Sequence, residues 1–150
     1  MANLNQLFDV VRGFDPNGNG PSIAESFAPK TGTTVVPGNI VTQQTDGTMD
    51  LASTPNRSNT APLPVWMAVM ANDFDNTFVG KFVAVRSNII VKTDKFAAGA
   101  YDEGKHVSFN VGLLKLAAVN DQIIGEVIED ARATDGTLVV YYHGGQVGML

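Results

Sequence analysis

From residue 35 onward the chain is cut into short apolar runs by residues that turn it. Asp46-Gly47 and Asp135-Gly136 are hairpin dipeptides, Asp102-Glu103-Gly104 and Gly112 reverse the chain between them, and Pro55, Pro62 and Pro64 mark 53–64 as a surface loop. Asp-Gly favours the left-handed two-residue turns whose twist matches that of paired strands. Runs this short, bounded this often, leave no room for long helices and read as strands joined by tight turns.

The sidedness of the runs says how they are buried. In 106–111, Val107, Phe109 and Val111 share one face, while His106, Ser108 and Asn110 share the other, which is expected to be wet. In 65–70, Val65-Trp66-Met67-Ala68-Val69-Met70 is apolar on both alternating faces, the pattern of a strand covered on both sides by its own core or by a neighbouring subunit. Further strands are expected at 39–44, 48–52, 78–86, 89–91, 113–117, 123–129 and 137–142. Only 3–14 has helical spacing, with Leu4, Leu7, Phe8 and Val11 at i, i+3, i+4 and i+7. Three turns are marginal in water, so this face is expected to dock on its own domain or on another subunit. The stretch 15–34, with Pro16, Gly18, Gly20, Pro21, Pro29 and Gly32, reads as irregular. The expected organisation is an N-terminal arm, 1–34, and a β-rich body, 35–150. The fold class is all-β, mainly an antiparallel β-barrel or β-sandwich, with a short N-terminal helical or extended arm.

One internal echo stands out. Gly38-Asn39-Ile40-Val41-Thr42 resembles Gly104-Lys105-His106-Val107-Ser108, and Gly47 with Leu51-Ala52 resembles Gly112 with Leu116-Ala117. Each reads as turn, strand, tight turn, strand. Duplication and the common grammar of hairpins both account for it.

Chemistry is sparse. The chain has no cysteine, which excludes disulfides, thiolate metal sites and cysteine nucleophiles. A net charge of −5 gives no general attraction to phosphate backbones or anionic membranes. The first residues lack the charged and apolar regions of a secretory signal, and no apolar run approaches the ~18 residues of a membrane span. His106 and His143 have no partners at ligand spacing, and Glu126, Glu129 and Asp130 read as a solvated strand end before they read as an acid–base pair. Asp15, Asn17, Asn19 and Gly20 match the first half of a calcium loop, but Glu25 falls one position short of the bidentate ligand and Ser26 takes its place. They are weak metal candidates, and the chain is expected to use no cofactor. Tyr101, Tyr141 and Tyr142 have too few basic neighbours to form a stacking platform for single-stranded nucleic acid.

Residues 65–142 carry a series of segments: Gly80-Lys81 with Val83-Ala84-Val85, Val91-Lys92-Thr93-Asp94, Tyr101-Asp102-Glu103-Gly104, Gly112-Leu113-Leu114 with Leu116-Ala117, Ile123-Ile124-Gly125-Glu126-Val127 and Asp135-Gly136-Thr137-Leu138-Val139-Val140. In this series the chain resembles the capsid decoration (head-stabilising, cement) proteins of tailed bacteriophages. The resemblance covers about half the chain and carries no catalytic signature. It implies a non-enzymatic virion protein, made in the host bacterial cytoplasm and seated on the outer capsid surface. Its expected partners are the major capsid protein and further copies of itself, most often as a trimer, and neither nucleic acid nor membrane. Leu4, Leu7, Phe8 and Val11 are then the expected interface of an arm that reaches a neighbouring subunit or the shell. The alternative is a carbohydrate- or ligand-binding β module of a phage tail or baseplate, which needs an exposed aromatic platform.

Overall fold

A computed structural model describes residues 8–12, 24–53, 64–70, 81–86, 88–130 and 136–144. Among them the protein is all-β. Its strands are β1 (Phe8–Arg12), β2 (Ala24–Phe27), β3 (Ile40–Gln43), β4 (Met49–Leu51), β5 (Trp66–Met70), β6 (Phe82–Val85), β7 (Ile89–Thr93), β8 (His106–Asn110), β9 (Leu113–Leu116), β10 (Gly125–Glu129) and β11 (Leu138–Tyr142). Two sheets result, in the orders β2-β6-β5-β3-β4 and β1-β7-β11-β10-β8-β9, with antiparallel pairing between neighbours.

The second sheet without β1 repeats the first, strand for strand in chain order. β2, β3, β4, β5 and β6 correspond to β7, β8, β9, β10 and β11. The registers agree: Val41 lies opposite Leu51 and Trp66, and Val107 lies opposite Leu116 and Gly125. Both fifth-strand pairings break at the same place, with a bulge between Ala68 and Met70 in β5 and between Val127 and Glu129 in β10. Each outer hairpin strand is flanked by a parallel bridge, Pro29 to Met49 and Phe96 to Leu114. The hydrogen bonds beside these bridges also match, Lys30 N to Met49 O and Ala97 N to Leu114 O, both 2.7 Å. So do Gly38 N to Ala68 O at 2.8 Å and Gly104 N to Val127 O at 2.9 Å. The echo read from the hairpins therefore extends over two whole five-stranded units.

The main core lies between the sheets. The first unit contributes Ile40, Ala52, Val65, Met67, Val69 and Val85, and the second contributes Val107, Phe109, Leu114, Val127, Leu138, Val140 and Tyr142. The opposite face of the first sheet forms a second cluster, Phe27, Val35, Val41, Met49, Trp66, Ala68, Phe82 and Ala84. The chain itself thus covers both faces of β5, and its double-sided apolarity calls for no neighbour. Trp66 is buried against Phe27, with ring centroids 4.9 Å apart and edge-on, and the Arg86 guanidinium lies 5.8 Å from its centroid.

Three expectations are corrected. Residues 8–12 are strand, not helix: Phe8 and Val10 pack on the main core, whereas Val11 is 58% exposed. A period of two wins because the edge of β7 offers backbone partners that a lone short helix lacks. Within the stretch read as irregular, Ala24–Phe27 pairs with β6. Ser108, expected on a wet face, is fully buried. It lies opposite Lys115, whose ammonium reaches the buried Asp121 at 2.9 Å while that carboxylate also accepts the Ala118 N–H at 2.8 Å. The turn through 118–121 thus folds back beside this pair of strands.

Candidate binding surface

The pleat that sends Val91, Val140 and Val127 inward sends their neighbours to the outer face of the six-stranded sheet. Two rows cross that face. The first runs His106, Glu126, Tyr141, Ile90, each directly opposite the next on β8, β10, β11 and β7. The second runs from Glu129 through Val139 to Lys92. Both bulges at this side of the sheet, in β1 at Val11 and in β10 at Ile128, add an apolar residue to the face. Val11, Ile90, Ile128 and Val139, with Lys92 and Glu129, line an open groove of about 420 Å³. Val11 and Ile128 are the most exposed of its apolar residues, at 58% and 39%.

Around this strip the polar groups are spread out. His106 and Glu126 are exposed. The Tyr141 hydroxyl donates to Asn88 Oδ1 at 3.0 Å, and the Tyr141 and His143 rings are 6.0 Å apart. His143 Nδ1 lies 3.0 Å from the Gly144 carbonyl oxygen. His106 has no carboxylate at near spacing along the chain, yet the sheet puts Glu126 beside it. Pairing between strands far apart in sequence creates that neighbour, and nothing local announces it.

A smaller recess of about 260 Å³ lies on the far side of the molecule, lined by Pro29, Thr33, Thr34, Val35 and Phe82. Next to it, the Thr33 hydroxyl donates to Asp50 Oδ1 at 3.3 Å. On the exposed β3–β4 turn, hydrogen bonds from the Thr48 hydroxyl and backbone N–H hold the Asp46 carboxyl below its ordinary range. Among the described residues, no three His, Asp or Glu side chains come together as a metal site.

Of the residues singled out beforehand, Leu4, Leu7, Asp15, Asn17 and Asn19 lie outside the described residues. Phe8 turns toward the core and Val11 toward the groove. Tyr101 and Tyr142 are buried, Tyr101 donating to the Ala97 carbonyl at 2.6 Å, so Tyr141 alone of the three reaches the outer face. Ile90, Ile128 and Val139 were missed as surface candidates. The signal was present in 123–129, where Glu126 and Ile128 alternate with buried Val127.

Compared with models of known protein families the chain matches none, and compared with curated proteins it also matches none.

Proposed function

We propose that this is a non-enzymatic structural protein of a virion, which binds the outer surface of a phage capsid and stabilises the shell. The observation that carries this reading is the outer face of the six-stranded sheet. It is a broad, open strip of apolar side chains with charged groups at its margins, the form of a protein contact surface. The polar residues around it are spaced along the sheet and do not converge on one point. The resemblance of 65–142 to decoration proteins supplies the partner: the major capsid protein, bound by a homo-oligomer, most simply a trimer. Many copies on a symmetric lattice make a modest contact per copy sufficient. The tail or baseplate carbohydrate module is less favoured, because the lone Trp66 is 9% exposed and packed on Phe27.

The test is to mix the purified protein with shells assembled from the major capsid protein of the phage carrying its gene, and to image them by electron microscopy. Added density at symmetry-related sites on the outer surface, with shells that survive heating better, is the expected result. Bare shells, or a gene outside any phage genome, overturn it.

A further inference from the structure

The small recess of the first unit and an aromatic pair of the second occupy the same place in the repeat. Pro29 and Phe96 hold matched positions, since each makes the parallel bridge to the outer hairpin strand. Val35 and Tyr101 also match, although the first segment is one residue longer. Each directly precedes the residue whose carbonyl accepts from the N–H just before β3 or β8: Asn39 N to Val36 O and Lys105 N to Asp102 O, both 3.1 Å. Phe82 and Leu138 correspond as well, Phe82 lying opposite Phe27 and Leu138 opposite Thr93 at the equivalent register.

In the second unit these positions are filled by rings. Phe96 and Tyr101 pack edge-on with centroids 5.1 Å apart, and both join the main core. The Tyr101 hydroxyl donates to the Ala97 carbonyl oxygen at 2.6 Å, so the buried phenol is satisfied. In the first unit neither position carries an aromatic ring. Pro29 and Val35 stand there instead, and with Thr33, Thr34 and Phe82 they surround the recess of about 260 Å³. A dry cavity of about 150 Å³ already accepts a benzene ring. The floor of the recess is aromatic: the Phe82 ring lies 6.3 Å from that of Phe27, which in turn meets Trp66. A further ring set on this floor gains the edge-on and offset contacts that aromatic pairs favour. The rim suits a hydroxyl donor. The Thr33 hydroxyl donates to Asp50 Oδ1 at 3.3 Å, which leaves the lone pairs of its oxygen to accept.

We propose that this recess receives one tyrosine side chain of a partner protein, seated where the second unit places its own Tyr101. The recess is open and holds little beyond a single ring, and single aromatic anchors seated in a pocket are how protein contacts concentrate their energy. It lies across the molecule from the apolar strip, so this contact does not rest on the capsid reading. The test is titration of the full chain with N-acetyltyrosinamide, followed by NMR of the methyl groups, and the same titration with p-cresol. N-acetyltyrosinamide is expected to bind with a Kd of roughly 1–10 mM. Its ring-current shifts should concentrate on the methyl groups of Val35 and Thr34. Val35→Tyr fills the recess from within, as Tyr101 does in the second unit. It is expected to weaken that binding about tenfold or more while keeping the wild-type melting temperature. Val41→Tyr, at a fully buried position of the same apolar cluster, is the overpacking control and is expected to lower the melting temperature by several degrees. Each of the following would overturn the proposal: no shifts with N-acetyltyrosinamide, shifts away from the recess, binding of p-cresol alone, binding that Val35→Tyr leaves unchanged, or a Val35→Tyr chain that loses stability as Val41→Tyr does.

Discussion

The hydroxyl of Tyr142 donates to the carbonyl oxygen of Val65 at 3.1 Å, tying the last strand of the second unit to the chain entering the central strand of the first. Tyr142 is fully buried, so this bond both satisfies the phenol and fixes how the two sheets meet. Replacing Tyr142 by Phe keeps the packing and leaves the Val65 carbonyl without this donor. The expected cost is about 1–2 kcal/mol, read from the urea midpoint at neutral pH.

The same residue should set the alkaline limit of the fold. Burial raises the Tyr142 phenol well above its ordinary value, more than the attraction of Arg86 lowers it, and burial raises Tyr101 as well. In the unfolded chain a tyrosine ionises near pH 10, whereas Tyr142 in the folded chain keeps its proton. Stability is therefore whole below about pH 10 and falls as pH rises beyond it, by up to about 1.4 kcal/mol per pH unit for Tyr142, with Tyr101 acting in the same direction. Urea midpoints between about pH 9 and pH 11 should fall steeply for the wild type and less steeply for Tyr142→Phe. Parallel curves would show that Tyr142 does not carry the effect.

Gly47 and Gly112 are matched turn positions, with φ of +88° and +80°, yet they face different surroundings. A Cβ on Gly47 meets nothing within 4 Å, whereas one on Gly112 would stand 2.8 Å from Leu51 Cδ2 and 3.2 Å from Leu51 Cβ. Gly112 also donates to the Ala52 carbonyl and offers its own carbonyl to the Ile40 N–H, both at 2.9 Å, which leaves the turn little freedom to withdraw. Gly47→Ala should cost only the left-handed strain of about 1–2 kcal/mol. Gly112→Ala should lose roughly 1–3 kcal/mol beyond that from overpacking. Equal thermal shifts for the two variants would mean that the units do not meet at this turn.

Much of the fold was legible because tight turns and sided runs are local. The hairpins around Asp46-Gly47 and Gly112, and the double-sided strand ending at Met70, follow from a few adjacent residues. The repeat was legible only in its hairpins. Elsewhere its equivalent positions hold residues of opposite character, Ile40 against His106 and Met67 against Glu126, since one copy of the face is buried and the other is wet. The candidate surface was not legible as a unit. Val11, Ile90, Ile128 and Val139 come from four strands that only the sheet order brings together. Ser108 shows the same limit: it is buried although His106 and Asn110, which alternate with it on the same face, are exposed, and nothing in the alternation of its own strand marks the difference.

The first strand offers the clearest test of periodicity. A helix through 3–14 places Phe8 and Val11 on one face, so truncating either should cost alike. In the sheet, Phe8 and Val10 face the core, while Val11 stands in the bulge opposite Ile90 and faces out. Half-burial of Phe8 is worth on the order of 1 kcal/mol, against about 0.5 kcal/mol or less for an exposed valine. Phe8→Ala should therefore lower the melting temperature by several times as much as Val11→Ala. Five residues of edge strand also incur an ordering cost when they pair, so the net gain from docking β1 is smaller than its contacts suggest. Removing residues 1–14 should accordingly destabilise the isolated protein measurably without unfolding it, since β7 remains paired with β11. Equal effects of Phe8→Ala and Val11→Ala, together with a truncated chain that melts like the whole one, would show that β1 is not docked on the sheet in solution.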